Sequence, residues 1–376
     1  MSSHEERIVS GKAWSELCDL LKAAGHTILK DSSPSDPLSR AEGFRYLSRI
    51  TRAALETFVE NADPLAPRLM RVVHETAKMG ADNPDNHYFN ACISGAYDYV
   101  IRGKRSSVHY LAFATQMGSY GQSRGMPPTG HLDARDLVLG PDGSFEIVIS
   151  QNSPGNGRNW LPSKPETGTL IVRQTRLDPR AEALAELSIE RVVDGASGGP
   201  AKPGPLTVEL LDKGFSSTGM LVGGAAMIFS GWAEGFQKHV NRLPRFDQNL
   251  SNMMGGVPDI AYYHSYWRVA PDEALVIEAT PPPCDHWNFQ LNNHWMESLD
   301  YRFHRIHVNS KTATRRPDGS LRIVVAHTDP GVSDWLETAG HEFGTMCFRW
   351  VRPEGEGEPP EPSCRLMKLA DAMRLP

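Results

Sequence analysis

Two stretches of the chain, PDGSFEIVISQNSPGNGRNWL at residues 141–161 and PDGSLRIVVAHTDPGVSDWL at residues 317–336, repeat one pattern with an offset of 176 residues. Each opens with a Pro-Asp-Gly-Ser turn, in which proline fixes φ and glycine tolerates a positive φ. Apolar residues then alternate, which predicts a strand with one buried face. These apolar positions are Phe145, Ile147 and Ile149 in the first copy and Leu321, Ile323 and Val325 in the second.

The match extends beyond these stretches, so that the shared unit covers about residues 85–177 and 259–353. Several short strands separated by turns are typical of an antiparallel β-sandwich or jelly roll. We expect the two arginines of the match to lie in equivalent closing strands, and each to bond carbonyls or acids of its own module, because a buried charge needs partners. The matched pairs are Trp160 with Trp335, Gly168 with Gly344, and Arg173 with Arg349.

Helical segments are predicted before and between the two β-modules, which gives an α+β fold class with duplicated sandwich or jelly-roll modules. The central helices are expected to begin at Asp178-Pro179, a cap followed by proline. The predicted organisation is an N-terminal helical segment (1–80), a first β-module (81–178), a central helical segment (179–255), a second β-module (256–353), and a linker with a short amphipathic helix (354–376).

The main N-terminal helix is predicted to begin near Asp36. This residue is a suitable N-cap, and Pro37 favours the first turn. Ser39 and Glu42 have the spacing of a capping box. The apolar residues that follow share one helical face, which we expect to pack on a β-module: Phe44, Leu47, Ala54, Leu55 and Phe58.

The segment NWLPSKPETGTLIVRQTR, which begins at Asn159, resembles the closing motif of a bacterial family of domains of unknown function, DUF1214. LSRAEGFRYLSR, DNPDN and NFQLNNHWMESLDYRFH also resemble long members of that family. The resemblance implies two related β-modules with jelly-roll-like folds, and it implies no reaction. The second copy departs from the motif, since Asp334-Trp335-Leu336-Glu337 stands where the first has Asn-Trp-Leu-Pro.

The composition is that of an ordinary soluble protein, with 376 residues, 40% hydrophobic residues, 22% charged residues and a net charge of -6. No Lys/Arg run is present, so we expect neither nucleic acid nor an anionic membrane as partner. The most apolar run, GMLVGGAAMIFSGW, is shorter than the roughly 20 residues that a membrane span needs. Five scattered cysteines without C-x-x-C spacing and a polar N-terminus predict a cytoplasmic location.

Histidines are concentrated in the second module, and Gln151 of the first copy aligns with His327 of the second. A duplicated scaffold needs catalytic groups only once, so this difference predicts a site in the second module or where it meets the central helices. General acid–base chemistry would use a histidine beside a carboxylate. The alternative is that each histidine caps a turn or bonds across strands. The catalytic candidates are His264, His286, His304, His327 and His341, with Glu297, or alternatively Asp300, as the carboxylate.

A strand over DHWNFQL would place His286, Asn288 and Gln290 on one face and core residues on the other. The aromatic run IAYYHSYWRV is typical of either a ligand cleft or a sandwich core. No H-x-H, H-E-x-x-H, P-loop or dinucleotide fingerprint is present. We therefore expect no cofactor and no metal site, although ligands from separate strands leave a metal ion open. The substrate-binding candidates are Tyr263, Trp267, Asn288 and Asn293.

The first functional hypothesis is a cytoplasmic enzyme that acts on a small, fairly hydrophobic metabolite by side-chain acid–base chemistry, as a lyase, isomerase or hydrolase. The second is a non-catalytic protein that binds a carbohydrate or a lipid-like ligand. The third is an oligomeric jelly-roll assembly protein, and a homo-oligomer is expected in any case. Only the first requires a histidine-rich second module whose polar groups converge on a closed pocket.

Overall fold

The computed structural model of the chain describes residues 2–118, 126–193, 196–197, 202–253, 256–355 and 357–375. Within these ranges the chain forms α-helices and four β-sheets, of which two belong to each half of the duplication. The helices are α1 (Ser3–Val9), α2 (Lys12–Leu29), α3 (Pro37–Leu55), α4 (Val208–Phe236), α5 (Gln248–Met253) and α6 (Leu369–Ala372).

Helix α3 begins where the sequence predicts, because the Asp36 side chain accepts a hydrogen bond from the backbone N–H of Ser39 at 2.9 Å. The predicted capping box is wrong, since Ser39 and Glu42 lie inside the helix. Leu47 is buried as expected, but Phe44 is 45% exposed. The buried face of α3 packs on α4 and on the second β-module.

Helix α4 has 29 residues and packs along α2 and α3. A Cβ atom at Gly219 would lie 2.4 Å from Cδ1 of Leu20, so this glycine permits the close approach of α2 to α4. In the described part of the chain, neither α4 nor any other helix combines the length and the apolar composition needed to cross a bilayer.

The first β-module consists of two sheets with strand orders β1-β7-β3-β4 and β6-β5-β2-β8-β9. All pairs are antiparallel except β5 with β6. The strands are β1 (Asn86–Cys92), β2 (Tyr99–Lys104), β3 (Tyr110–Met117), β4 (Pro128–Asp133), β5 (Ser144–Ser150), β6 (Asn159–Pro162), β7 (Thr167–Thr175), β8 (Glu186–Val193) and β9 (Ala196–Ser197).

The second β-module has the strand orders β10-β16-β12-β13 and β15-β14-β11-β17. Each of its strands therefore takes the place of the corresponding strand of the first module, which confirms the duplication and the α+β class with paired sandwich modules. The strands are β10 (Ile260–Arg268), β11 (Glu273–Ala279), β12 (Cys284–Leu291), β13 (His307–Asn309), β14 (Leu321–Ala326), β15 (Trp335–Glu337), β16 (Phe343–Pro353) and β17 (Ser363–Lys368).

The two repeated tryptophans make the same contact in both modules. The indole N–H of Trp160 donates to the carbonyl of Ser150 at 3.2 Å. The indole N–H of Trp335 donates to the carbonyl of Ala326 at 2.9 Å. In each case the tryptophan lies on the short parallel strand and the acceptor ends the neighbouring strand, so equivalent sequence positions have equivalent local structure.

Two segments differ from the predicted organisation. The central segment 179–255 begins with one turn and the strand β8, which pairs with β2, so the first module extends to Val193 at least. The terminal segment 354–376 carries strand β17, which pairs with β11, and only the single turn α6 is helical. No residue of either strand is fully buried, so the local signal for a strand is weak in both, although Leu187 and Ile189 alternate with polar residues in β8.

The core of each module lies between its two sheets. In the second module, Trp287, Phe289 and Leu291 of β12 enter this core, as predicted. The first module is filled in the same way, for example by Phe113 and Leu170. Because side chains alternate along a strand, the opposite faces of β1-β7-β3 and of β10-β16-β12 point away from their own cores. These two outer faces position the site.

Candidate functional site

A cavity of about 180 Å³ lies between the two β-modules and helix α4. The outer faces of β1-β7-β3 and β10-β16-β12 form its polar walls, and residues 79–83 form part of its rim. Helix α4 contributes the apolar wall, with Leu221, Phe229 and Trp232. The cavity thus combines an apolar side with polar groups from both halves of the duplication, the composition typical of small-molecule sites.

Both modules direct the repeated arginine into this cavity. Arg173 lies on β7 and lines the cavity together with its second-neighbour Ile171. Arg349 lies on β16 and lines it together with its second-neighbour Val351. The period of two places each arginine on the outer face of its sheet.

A tyrosine accompanies each arginine in the same register. Tyr88 of β1 pairs with Arg173, and Tyr262 of β10 pairs with Arg349. All four residues line the cavity. The guanidinium carbon of Arg349 lies 5.8 Å from the centre of the Tyr262 ring. The site therefore contains the same arginine–tyrosine pair twice, once from each module.

Arg349 is only 5% exposed and is held by neutral oxygens. Its guanidinium donates to Oε1 of Gln290 at 2.6 Å, to Oδ1 of Asn288 at 3.3 Å and to the carbonyl of Ala81 at 2.6 Å. The expectation that all partners belong to its own module is wrong for Ala81, which precedes the first module's strands. Among the described residues no carboxylate forms an ion pair with Arg349, so the site holds a buried positive charge that an anion would complement.

His264 lies deep in the same cavity, between two aromatic rings. Its ring is stacked on Tyr262 with centroids 5.8 Å apart and on Phe236 with centroids 5.4 Å apart. Burial, assisted by the charge of Arg349, lowers the pKa of His264 to about 3, so the imidazole is neutral. Within the described ranges its Nδ1 atom has no hydrogen-bond partner, which leaves one polar ring atom for a ligand.

Asp82 also lines the cavity, but its carboxylate is already engaged. It accepts hydrogen bonds from the backbone N–H of Ser298 at 2.9 Å and from the Ser298 hydroxyl at 2.8 Å. Burial raises the pKa of the Asp82 carboxyl, and the charge of Lys78 is the main influence that opposes this. Lys78 is itself buried and donates to the carbonyls of Ser298 and Leu299. The hydrogen bonds of Asp82 and Lys78 therefore fix the position of the rim of the cavity.

At the edge of the cavity, Asp285 joins residues of both modules. Its Oδ2 atom lies 2.9 Å from Nδ1 of His286 and 3.5 Å from Nε2 of His109. Burial acts to raise the pKa of the Asp285 carboxyl, but the two histidines hold it well below its usual value. His286 lines the cavity and is 3% exposed. These three side chains are the group in the described structure whose donor atoms could together hold a metal ion.

The residues predicted from the sequence divide into two groups. Of the catalytic candidates, His264 and His286 line the cavity. Asn288 does not line the cavity, but it accepts a hydrogen bond from Arg349, which does. Tyr263 and Trp267 point to the other side of β10 and lie in the module core. The sequence could not show which face of this strand meets the core, because both faces carry aromatic residues.

The other candidates lie away from the cavity and have structural partners. Glu297 forms an ion pair with Arg49 at 2.7 Å and accepts from the Asn293 side chain at 2.9 Å. Burial raises the pKa of the Glu297 carboxyl, although Arg49 opposes this. His304 lies 2.8 Å from Glu337 on the surface of the second module.

His327 repeats a contact of the first module instead of adding chemistry. Its Nε2 atom lies 2.8 Å from the carbonyl of Val269, and its Nδ1 atom lies 3.2 Å from the Thr338 hydroxyl. Gln151, its counterpart, donates to the carbonyl of Gly95 at 2.8 Å. Both side chains thus tie the strand end to the chain that precedes the module's second strand. The comparison of the two copies therefore does not identify His327 as part of the site.

His341 connects helix α3 to the second module. Its Nε2 atom lies 3.0 Å from Oε2 of Glu42. Its Nδ1 atom lies 3.1 Å from the carbonyls of Thr338 and Ala339.

The two cavity arginines and the tyrosines beside them were not among the residues predicted for the site. The available signal was that Arg173 and Arg349 are charged residues at the same position in both copies.

Comparison with known proteins gives the family but no activity. The family model described as "Protein of unknown function (DUF1214)" matches residues 120–177 and 271–355. The crystal structure of an uncharacterized protein from Burkholderia cenocepacia is 47% identical to this chain over 97% of this chain and 99% of that one, with a TM-score of 0.92. None of the curated proteins matches the chain.

A more distant likeness concerns the fold alone. The VPA0106 protein from Vibrio parahaemolyticus is 12% identical, over 86% of this chain and 98% of that one, with a TM-score of 0.50.

The matched family regions contain the closing strands β7 and β16, which carry the two cavity arginines. From the resemblance in its motifs, the family match and the paired modules, the chain belongs to the DUF1214 family of proteins of unknown function.

Proposed function

We propose that this protein binds a small molecule with an apolar body and an anionic group in the cavity between its two modules. The observation that carries the proposal is Arg349, buried beside the cavity with only neutral partners among the described residues. Arg173 approaches the same space from the other module. A carboxylate between the two guanidinium groups would supply charge-assisted hydrogen bonds, which are stronger than neutral ones.

The size and the apolar wall of the cavity support a compact ligand. An engineered apolar cavity of about 150 Å³ in another protein holds benzene, and this cavity has about 180 Å³. Leu221, Phe229 and Trp232 of α4 would contact the apolar body, while the polar sheets would contact the anionic group. A ring or a short aliphatic chain with one carboxylate fits both requirements.

The second candidate is an enzyme that uses acid–base chemistry on the same ligand, favoured by His286. This histidine lines the cavity and lies 2.9 Å from the carboxylate of Asp285, a pairing that orients an imidazole for proton transfer. His264 is the other histidine in the cavity, but its lowered pKa makes it a weak base. A lyase, isomerase or hydrolase would therefore depend on His286.

A cytoplasmic location is part of this proposal. All five cysteines are free thiols, as expected for a reducing compartment. The homo-oligomer, the lack of nucleic-acid and membrane partners, and the carbohydrate-binding or assembly alternatives stay predictions from the sequence.

The test compares carboxylates with their uncharged amides. Thermal unfolding of the full chain is measured with phenylacetate and phenylacetamide, and with octanoate and octanamide. A ligand at about 100 times its Kd stabilises the folded state by about 2.7 kcal/mol. We expect the carboxylates to raise Tm and the amides to have little effect, and we expect Arg173→Met and Arg349→Met to abolish the difference.

Arg102→Met is the matched control, because Arg102 pairs with Glu146 and Glu190 on the first module, away from the cavity. This variant should retain the preference for carboxylates. Arg173 is half-buried, so its variant remains informative even if replacement of the buried Arg349 prevents folding. Equal stabilisation by acids and amides, or a preference that persists in Arg173→Met, would show that the arginines do not bind the ligand.

A further inference from the structure

We propose that His109, Asp285 and His286 form a binding site for a divalent first-row transition-metal ion at the edge of the cavity. His109 directly precedes β3 of the first module, and Asp285 and His286 lie on β12 of the second. The donor atoms of these three side chains lie within 4.8 Å of one another. The proposal does not depend on the ligand of the cavity.

The distances within the cluster fit coordination of one ion. Metal–nitrogen and metal–oxygen bonds of about 2.0–2.2 Å place neighbouring ligand atoms about 2.8–3.6 Å apart at octahedral or tetrahedral angles. In this cluster, Oδ2 of Asp285 lies 2.9 Å from Nδ1 of His286 and 3.5 Å from Nε2 of His109. Only small movements of the three side chains are therefore needed to bind an ion.

The donor set indicates both the class of ion and an open site. Two imidazoles and one carboxylate suit Fe²⁺, Co²⁺ or Zn²⁺ better than Mg²⁺ or Ca²⁺, which prefer oxygen ligands. Three protein ligands leave further positions for water or for a substrate group. The Asp285 side chain is 29% exposed, so solvent can reach these positions, whereas His286 is 3% exposed and holds the inner side.

An unsatisfied atom points to the same place. Nε2 of His109 is buried and, within the described part of the chain, has no hydrogen-bond partner, although it lies 3.5 Å from the Asp285 carboxylate. A buried nitrogen without a partner is costly. An ion between His109 and Asp285 would satisfy this nitrogen and the carboxylate together.

The neighbouring arginine is compatible with an ion. A guanidinium nitrogen of Arg352 lies 3.4 Å from Oδ2 of Asp285, but Arg352 also forms an ion pair with Asp133 and lies over the Tyr110 ring at 4.5 Å. Because Asp133 balances the charge of Arg352, Asp285 is free to act as a metal ligand. An ion bound to Nδ1 of His286 would take the place of the contact between His286 and Asp285, so it replaces the acid–base role considered above.

The duplication shows that the fold itself does not require this cluster. At the offset of 176 residues, His109 corresponds to Asp285, and Tyr110 corresponds to His286. Equivalent strand positions of the two modules thus meet here with different side chains, whereas the arginines and tryptophans of the modules are the same in both. In the part of the chain that the structure describes, this is the one cluster with two imidazoles and a carboxylate close enough to share an ion.

The experiment uses the full chain without an affinity tag, because tag histidines bind metals. Zn²⁺ and Co²⁺ are titrated by calorimetry, and the visible absorption of Co²⁺ reports its coordination. We expect one ion per chain. Since changes of outer-sphere partners alone weaken metal sites by about 10–100-fold, loss of a direct ligand in His109→Gln or Asp285→Asn should weaken binding by at least about 100-fold.

His304→Gln is the control, because His304 forms a histidine–carboxylate pair with Glu337 at 2.8 Å, and no described residue adds a third ligand. It should bind the ions as the unmodified chain does. The folding of each variant is checked by circular dichroism without metal. As a measurement that needs no variant, Zn²⁺ should shift the NMR ring signals of His109 and His286 and leave those of His304 unchanged.

Three outcomes would overturn the proposal. In the first, the unmodified chain binds neither ion at millimolar concentration in calorimetry. Alternatively, His109→Gln and Asp285→Asn bind as tightly as His304→Gln. In the third outcome, Zn²⁺ shifts ring signals of other histidines only. Loss of carboxylate binding in the cavity would leave these results unaffected, so failure of the metal site and failure of the proposed function are distinguishable.

Discussion

The contact of His341 with Glu42 predicts a pH-dependent contribution to stability. Both ring nitrogens of His341 face acceptors: Nε2 faces the Glu42 carboxylate at 3.0 Å, and Nδ1 faces the carbonyls of Thr338 and Ala339. Because an acceptor needs a donated hydrogen, both nitrogens must carry a proton. The imidazolium therefore ties helix α3 to the loop before β16, and His341→Gln should remove this connection.

The direction of this pH dependence follows from the pKa of His341. Burial acts to lower the pKa of His341, but the hydrogen bond and the charge of Glu42 raise it above the ordinary value of 6.5. A folded-state pKa above the unfolded one means that the stabilisation is fully present below the unfolded pKa and is lost as the pH rises through the folded pKa. His341 is 12% exposed, so solvent screens the pair weakly.

The magnitude follows from one charge-assisted hydrogen bond, which contributes about 1.5–3 kcal/mol. We expect His341→Gln to lower the free energy of unfolding by this amount at about pH 5 and by less at about pH 9, because the contribution is lost as the pH rises through the raised folded-state pKa. Urea unfolding at both pH values measures it. Glu42→Gln and the double variant complete a cycle that isolates the coupling of the two side chains.

The reasoning would be refuted by a coupling energy that is the same at both pH values. It would also be refuted if His341→Gln lost stability only at the higher pH. Either result would mean that the imidazolium is not the form that joins α3 to the second module.

Two further predictions use the duplication as a built-in control. Gly344→Ala should lower the free energy of unfolding by about 3 kcal/mol or more, because the new Cβ would lie 2.1 Å from the carbonyl oxygen of Asn292. At the equivalent Gly168, a new Cβ would meet no atom closer than 4.0 Å, so Gly168→Ala should change the free energy of unfolding by less than about 1 kcal/mol in the same urea experiment. Equal losses at both glycines would contradict the close approach at Gly344. His327→Gln should change the free energy of unfolding by less than about 1 kcal/mol, because the new amide can donate to the carbonyl of Val269 as Gln151 donates to Gly95 in the first module. Carboxylate binding, measured by thermal unfolding, should be unchanged. Loss of this binding would show that His327 belongs to the site.

Local sequence was sufficient for features that depend on local rules. The Pro-Asp-Gly-Ser turns and the alternating apolar residues identified β5 and β14, because turn geometry and strand period are properties of short segments. The repeat at a fixed offset then predicted two modules with matching strands. Asp36 identified the start of α3, since an N-cap needs only the residues of the first turn.

Strands that depend on a distant partner were not predictable in this way. Strands β8 and β17 pair with β2 and β11, and this pairing supplies their backbone hydrogen bonds. Their own residues are at most partly buried, and the terminal segment has apolar residues at spacings that a helix would also satisfy. Tertiary pairing overrides such weak local preference.

The same distinction applies to the site. The sequence alone determined that the two modules repeat, that Arg173 and Arg349 are equivalent, and that His286 and Trp287 lie on opposite faces of one strand. The tertiary structure was needed to show that the outer faces of the two modules enclose one cavity with α4, and that His109 meets Asp285 at the edge of this cavity. The physical reason is that strand period fixes the relative faces of neighbouring residues, whereas the contacts between modules depend on packing among segments far apart in the chain.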